Sequence, residues 1–123
     1  MKAIQRNILF FLLVISYHSN SQEWKQHLDS AKAFQEQKNN TEAIESYLLA
    51  NGLLKKDSAV TATYQRNNND IGDLYVAMGQ YAKAAPFYED AKQIIGKLTG
   101  KNNADYAASC NNLGRVYRLM GQY

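Results

Sequence analysis

Residues 71–81 read IGDLYVAMGQY, and residues 113–123 read LGRVYRLMGQY. The second stretch follows the first at a separation of 42 positions. Extended back to Tyr64 and Tyr106, the alignment holds 8 identities in 18 positions and needs no gap. The identities are Tyr64/Tyr106, Asn69/Asn111, Gly72/Gly114, Tyr75/Tyr117 and the tetrad Met78-Gly79-Gln80-Tyr81 against Met120-Gly121-Gln122-Tyr123. A fainter copy lies upstream at a shift of 41, pairing Ala31 with Gly72, Phe34 with Tyr75, Ala43 with Ala84, Tyr47 with Tyr88 and Ala50 with Ala91. Residues 22–123 therefore hold about two and a half copies of one unit, the sequence signature of a repeat architecture.

The spacing within one copy says what the unit is. Ile71, Leu74, Tyr75 and Met78 recur every three or four residues, which places them on one face of an α-helix. Gly79 then supplies the positive φ that ends a helix. A second apolar stripe follows: Tyr81, Ala84, Ala85, Tyr88, Ala91, Ile94 and Ile95. Each unit is predicted to be helix, short turn, helix, with small Gly72 and Ala84 where the helices approach and large Tyr75, Tyr81 and Tyr88 where space must be filled. The expected fold is all-α, an α-solenoid of antiparallel helix pairs, in approximate units 24–56, 58–98 and an incomplete 104–123. Pro86, about one turn into its helix, removes one donor and predicts a slight bend.

The first 21 residues have a different character. Lys2 and Arg6 precede an unbroken apolar run from Ile8 to Ile15, and Ser19-Asn20-Ser21 places small residues where a signal peptidase reads. This is the three-part export signal, with cleavage expected after Ser21 and a periplasmic, cell-envelope or secreted destination. The run is far short of the ~20 apolar residues of a spanning helix, so no stable membrane span is expected after cleavage. Without residues 1–21, 12 basic side chains face 11 acidic ones, a formal charge of +1, which gives no nucleic-acid footprint. Cys110 is the only cysteine, so packing rather than an internal disulfide must hold the fold.

Little in the chain could carry catalysis. His27 and Cys110 fall in the first helices of the first and third units, too far apart for a nucleophilic pair. No His/Cys cluster has metal spacing, and Gly96, Gly100 and Gly114 do not form a phosphate loop. No catalytic residue, metal or other cofactor is expected. Cys110 reads first as a small residue packed between helices and second as a thiol for an intermolecular disulfide. Asn67-Asn68-Asn69 and Asn111-Asn112 fall where Asn is a poor helix former. They read either as frayed helix starts and neutral composition or as amides facing a ligand.

The pattern Ile71-Gly72-x-x-Tyr75, its counterpart Leu113-Gly114-x-x-Tyr117, and Ala84-x-x-x-Tyr88-x-x-Ala91 resemble the tetratricopeptide repeat. The spacing of 42 is longer than that family's usual ~34. It resembles the longer variety of kinesin light chains and many bacterial repeat proteins, as do Asp105–Gly114 with its paired Asn and Ala84-Ala85-Pro86-Phe87-Tyr88. The first unit departs from the pattern: Lys38 and Asn40 stand where Gly79 and Tyr81 stand in the second, which predicts a looser first turn.

The resemblance implies a non-catalytic scaffold whose first helices line a concave groove for an extended peptide or a partner protein. Aligned on the repeats, Lys25, Lys32, Arg66, Asn69, Asp73, Asn111, Arg115 and Arg118 would point into it. The basic members suit acidic ligands, although a plain solvated face explains such charges equally well. The carboxylate-clamp pattern of chaperone-binding members is incomplete, because Asp70 stands where its second-repeat Asn would be. The sequence closes before the second helix of the third unit, which leaves Val116, Tyr117, Leu119 and Met120 without a partner. The expectation is a fragment of a longer chain whose repeats lead into a caspase-like protease or a sensor kinase. The uncapped helix also offers a surface for self-association.

Overall fold

The computed structural model describes residues 22–54 and 61–121. The export-signal pattern at 1–21 lies outside the described residues. Five helices follow one another: α1 (22–36), α2 (Asn40–Leu54), α3 (Thr61–Ala77), α4 (Tyr81–Thr99) and α5 (Ala104–Leu119). Among the described residues there is no strand. No described helix is long and apolar enough to cross a membrane. The fold is the all-α stack of helix pairs expected from the repeat.

Three turns end the first helix of each unit in the same way. Gly79 has φ +71° and Gly121 has φ +71°, the left-handed conformation in which glycine carries no Cβ penalty. After α3 the Gly79 N–H donates to the Val76 carbonyl at 2.9 Å and the Gln80 N–H to the Tyr75 carbonyl at 2.8 Å. After α1 the Lys38 N–H donates to Gln35 at 3.0 Å and the Asn39 N–H to Phe34 at 2.9 Å, the same pair of bonds. Lys38 itself takes φ +61°, so the first turn is not looser than the second. The paired bonds hold the turn, and the lysine accepts the left-handed backbone that glycine takes elsewhere.

Packing follows the small-against-large pattern. Tyr88 of α4 is fully buried against Gly72 of α3. A Cβ at Gly72 would lie 2.7 Å from Tyr88 Cε1, so only glycine lets this ring pass. In the first unit Ala31 and Tyr47 play these roles within a cluster that also holds Ala43, Ile44, Ile71 and Leu74. A second cluster joins Ala84, Ala85 and Tyr88 to Leu113 and Val116. Tyr75 packs against both clusters and meets the Phe87 ring at a centroid distance of 5.7 Å. Its counterpart Tyr117 is 39% exposed. α4 runs through Pro86 without interruption. The link to α5 is organised by Asn103, whose Oδ1 accepts from the Tyr106 N–H at 2.9 Å as an N-cap. Its Nδ2 donates back to the Thr99 and Gly100 carbonyls at 3.0 and 2.8 Å.

Candidate functional site

Residues of α1, α3 and α5 line three clefts, and six of the eight expected groove residues are among them. Lys32 of α1 and Arg66 of α3 share a 180 Å³ cleft with Asp70. Arg66 and Asn69 of α3 face α5 across a second cleft of 410 Å³. Asn111, Arg115 and Arg118 line a shallower depression of 490 Å³ on α5. Asp73 does not line these clefts but bridges helices. It accepts from the Tyr88 hydroxyl and lies 3.7 Å from Arg115 Nη2. Lys25 stands apart, its ammonium 5.5 Å from the Trp24 ring centroid.

The charges on this side are mixed. Asp70 and Asp73 sit one turn apart on α3, among Lys32, Arg66 and Arg115. Burial pushes the Asp70 carboxyl above its ordinary range, and the negative Asp73 pushes it further. The Tyr47 hydroxyl, Lys32 and Arg66 pull it back. The Tyr88 phenol is raised first by burial and then by its hydrogen bond to Asp73. Tyr47 is raised by burial and then by the Asp70 charge. Both tyrosines therefore act as neutral donors rather than anions. Among the described residues Lys32, Arg66 and Arg118 form no ion pair.

Asn69 holds the feature that bears most on ligand binding. Its Oδ1 is buried and has no hydrogen-bond partner among the described residues. An unpaired buried acceptor costs about 1–3 kcal/mol, so such groups are rare in folded chains.

The other asparagines divide differently from either sequence reading. Asn67 and Asn68 are 2% and 1% exposed and lie within α3 rather than at a frayed start, although Asn67 also lines the cleft of Lys32, Arg66 and Asp70. Asn67 Nδ2 donates to Asn51 Oδ1 at 2.9 Å. Asn51 Nδ2 donates to Asn68 Oδ1 at 2.9 Å, and Asn68 Nδ2 to Asp90 Oδ2 at 2.8 Å. This chain of amides ties α2, α3 and α4 together. Its signal in the sequence is Asn51, a polar residue in the core stripe of Tyr47, Ala50 and Leu54. Cys110 also departs from expectation. It is exposed, and Ser109 takes the buried place on the face of Leu113 and Val116. Its counterpart Asn68 is covered because Asp90 on the next helix reaches it, and no described helix follows α5.

Among the described residues no group of His, Cys, Asp or Glu side chains could hold a metal ion. His27 lies 4.0 Å from Glu23 on α1 and has no Cys110 beside it.

Stacked antiparallel helix pairs, each closed by the same left-handed turn and locked by a small residue under a tyrosine, define an α-helical repeat protein. The sequence profile of the tetratricopeptide repeat matches residues 57–123, more than half of the chain, and the chain belongs to that family. Repeats of this kind mediate protein–protein interaction and generally form non-catalytic scaffolds. No curated protein matches the chain.

Proposed function

We propose that the chain is a non-catalytic, exported scaffold that binds an extended, acidic peptide or partner segment along the side lined by α1, α3 and α5. The observation that carries this reading is that Lys32, Arg66, Asn69, Asn111, Arg115 and Arg118 line clefts, the one beside Asn69 holding 410 Å³. The Asn69 side chain lines that cleft, and the Asn111 amide offers a peptide unit a donor and an acceptor without reading its sequence. Lys32, Arg66 and Arg118, free of ion pairs among the described residues, favour carboxylates in that ligand. The repeat spacing of 42 supports the longer variety of the family.

The test is a peptide array of matched acidic, neutral and basic decamers probed with the full chain and with Asn69→Ala/Asn111→Ala. Acidic peptides are expected to be retained by the parent and released by the variant while circular dichroism stays unchanged. Equal retention by a folded variant would refute the groove assignment. Export rests on the pattern at residues 1–21. Mass spectrometry of the mature protein should find Gln22 as its first residue.

A second reading is favoured by Tyr117 and Leu119, which are 39% and 46% exposed on α5. In it the repeats recruit partners for an enzyme domain, a caspase-like protease or a sensor kinase, that packs on this face. Reading the gene beyond codon 123 tests it, since an immediate stop codon removes the enzyme. Sedimentation tests the remaining use of the same face, pairing of two copies through α5, which a monomer at every concentration would exclude.

A further inference from the structure

The opposite side of the stack carries a groove of different chemistry. α2 and α4, with Tyr64 and Asn68 of α3 at its floor, wall a space of 590 Å³, larger than the three clefts described above and within the range of ligand sites. Leu48, 42% exposed, and half-buried Phe87 give it apolar walls. Beside them stands the Asp90 carboxylate. Asp90 accepts the Asn68 amide through Oδ2 at 2.8 Å, and among the described residues it forms no ion pair. Asn68 is itself fixed by Asn51, so the buried amide chain orients this carboxylate before anything binds. Neighbouring Glu89 is already held by Lys92 at 3.2 Å, which leaves Asp90 as the unneutralised charge.

Gly52 points the same way. It lies in the third-last position of α2 and lines the groove, and a Cβ there would meet nothing within 4 Å. No neighbour in the described chain requires glycine, yet glycine within a helix costs about 1 kcal/mol against alanine. A missing side chain on the wall of a groove admits the close approach of another chain.

We infer that the α2–α4 groove binds a basic, amphipathic segment of a partner protein, with an arginine guanidinium on Asp90 and an apolar side chain on Leu48 and Phe87. Charge complementarity selects this occupant. Asp90 spends one lone pair of Oδ2 on Asn68 and keeps Oδ1 and the remaining lone pair of Oδ2 for a forked planar donor, which arginine supplies and lysine does not. The scaffold then has two faces of different character: unpaired Lys32, Arg66 and Arg118 among mixed charges on the α1–α3–α5 side, and a fixed carboxylate on the α2–α4 side. It can bridge an acidic partner and a basic one without the two competing. This inference does not depend on the groove assignment above.

The experiment titrates the isotopically labelled full chain with a capped arginine–leucine dodecapeptide and, separately, with its glutamate–leucine counterpart. Amide shifts are expected at Leu48, Gly52, Phe87 and Asp90 with the basic probe only. Asp90→Asn keeps an acceptor for Asn68 and should weaken binding about tenfold through loss of the charged contact. Gly52→Gln fills the groove at a solvent-facing position where the fold tolerates a side chain, and should weaken binding comparably. Asn69→Ala should leave the basic probe's affinity unchanged. The inference is overturned by no binding at millimolar probe, by equal binding of the acidic probe, by shifts on α1, α3 and α5 instead, or by undiminished binding in both Asp90→Asn and Gly52→Gln.

Discussion

Lys38 and Gly79 occupy the same place in two copies of one turn, with φ +61° and +71°. A side chain in the left-handed region costs about 1–2 kcal/mol, whereas glycine loses more freedom on folding. Lys38→Gly is therefore expected to stabilise the chain by up to about 1 kcal/mol and Gly79→Ala to destabilise it by about 1 kcal/mol. Urea midpoints measure both, and equal signs would contradict the equivalence of the two turns. Asp70 supplies a pH-dependent counterpart. Its folded pKa is raised, so the folded state holds this proton more tightly than the unfolded state does. The resulting stabilisation is fully present below the ordinary value of 3.8 and is lost as the pH rises through the folded value. Asp70→Asn should raise the melting temperature at pH 7 and flatten its dependence on pH above 3.8. An unchanged slope would place the titration elsewhere.

Helix pairs are held by two kinds of contact, and only one was legible in the sequence. Apolar periodicity and the Gly72/Tyr88 match identified α3 and α4 and their pairing, because a 3.6-residue period with small residues facing large ones has few alternative readings. The amide chain was not legible. Asn67 and Asn68 look like poor helix formers in isolation, and only the approach of Asn51 from α2 and Asp90 from α4 turns them into core residues. Cys110 was misread for the same kind of reason: its burial depends on a neighbouring helix rather than on its own position. The groove residues fared between these extremes. Lys32, Arg66, Asn69, Asn111, Arg115 and Arg118 line clefts, while Asp73's bridge from Tyr88 to Arg115 needed three helices in place. The amide chain makes a prediction about how the helices are coupled. Asn51→Ala and Asn68→Ala should each cost about 2 kcal/mol, because each leaves buried partners unpaired. The double variant should cost at least ~0.5 kcal/mol less than the sum. Strict additivity in a double-mutant cycle would mean that the bond between α2 and α3 carries no coupling energy.

Across the whole molecule the apolar core is divided. One cluster gathers buried residues of α1, α2 and α3, the other buried residues of α4 and α5, and Tyr75 of α3 packs against both. Stability in such a stack is close to a sum of unit and neighbour terms, so damage should spread only as far as the contacts it breaks. Among the described helices α5 packs chiefly on α4, and it exposes Tyr117 and Leu119. Leu74 lies in the middle and is 4% exposed; Val116 lies on α5 and is fully buried. Truncating either to alanine removes methyl groups from a packed site at a cost of about 1–4 kcal/mol, so the two variants separate position from chemistry. Native-state hydrogen exchange should show Val116→Ala speeding exchange in α5 and the facing residues of α4 while the amides of α2 keep their protection. Leu74→Ala should speed exchange in α1, α2 and α3 together. If Val116→Ala deprotects α2 as strongly as it deprotects α5, the chain opens as a single cooperative block. In that case its two binding sides are coupled through global unfolding rather than held apart by a modular stack.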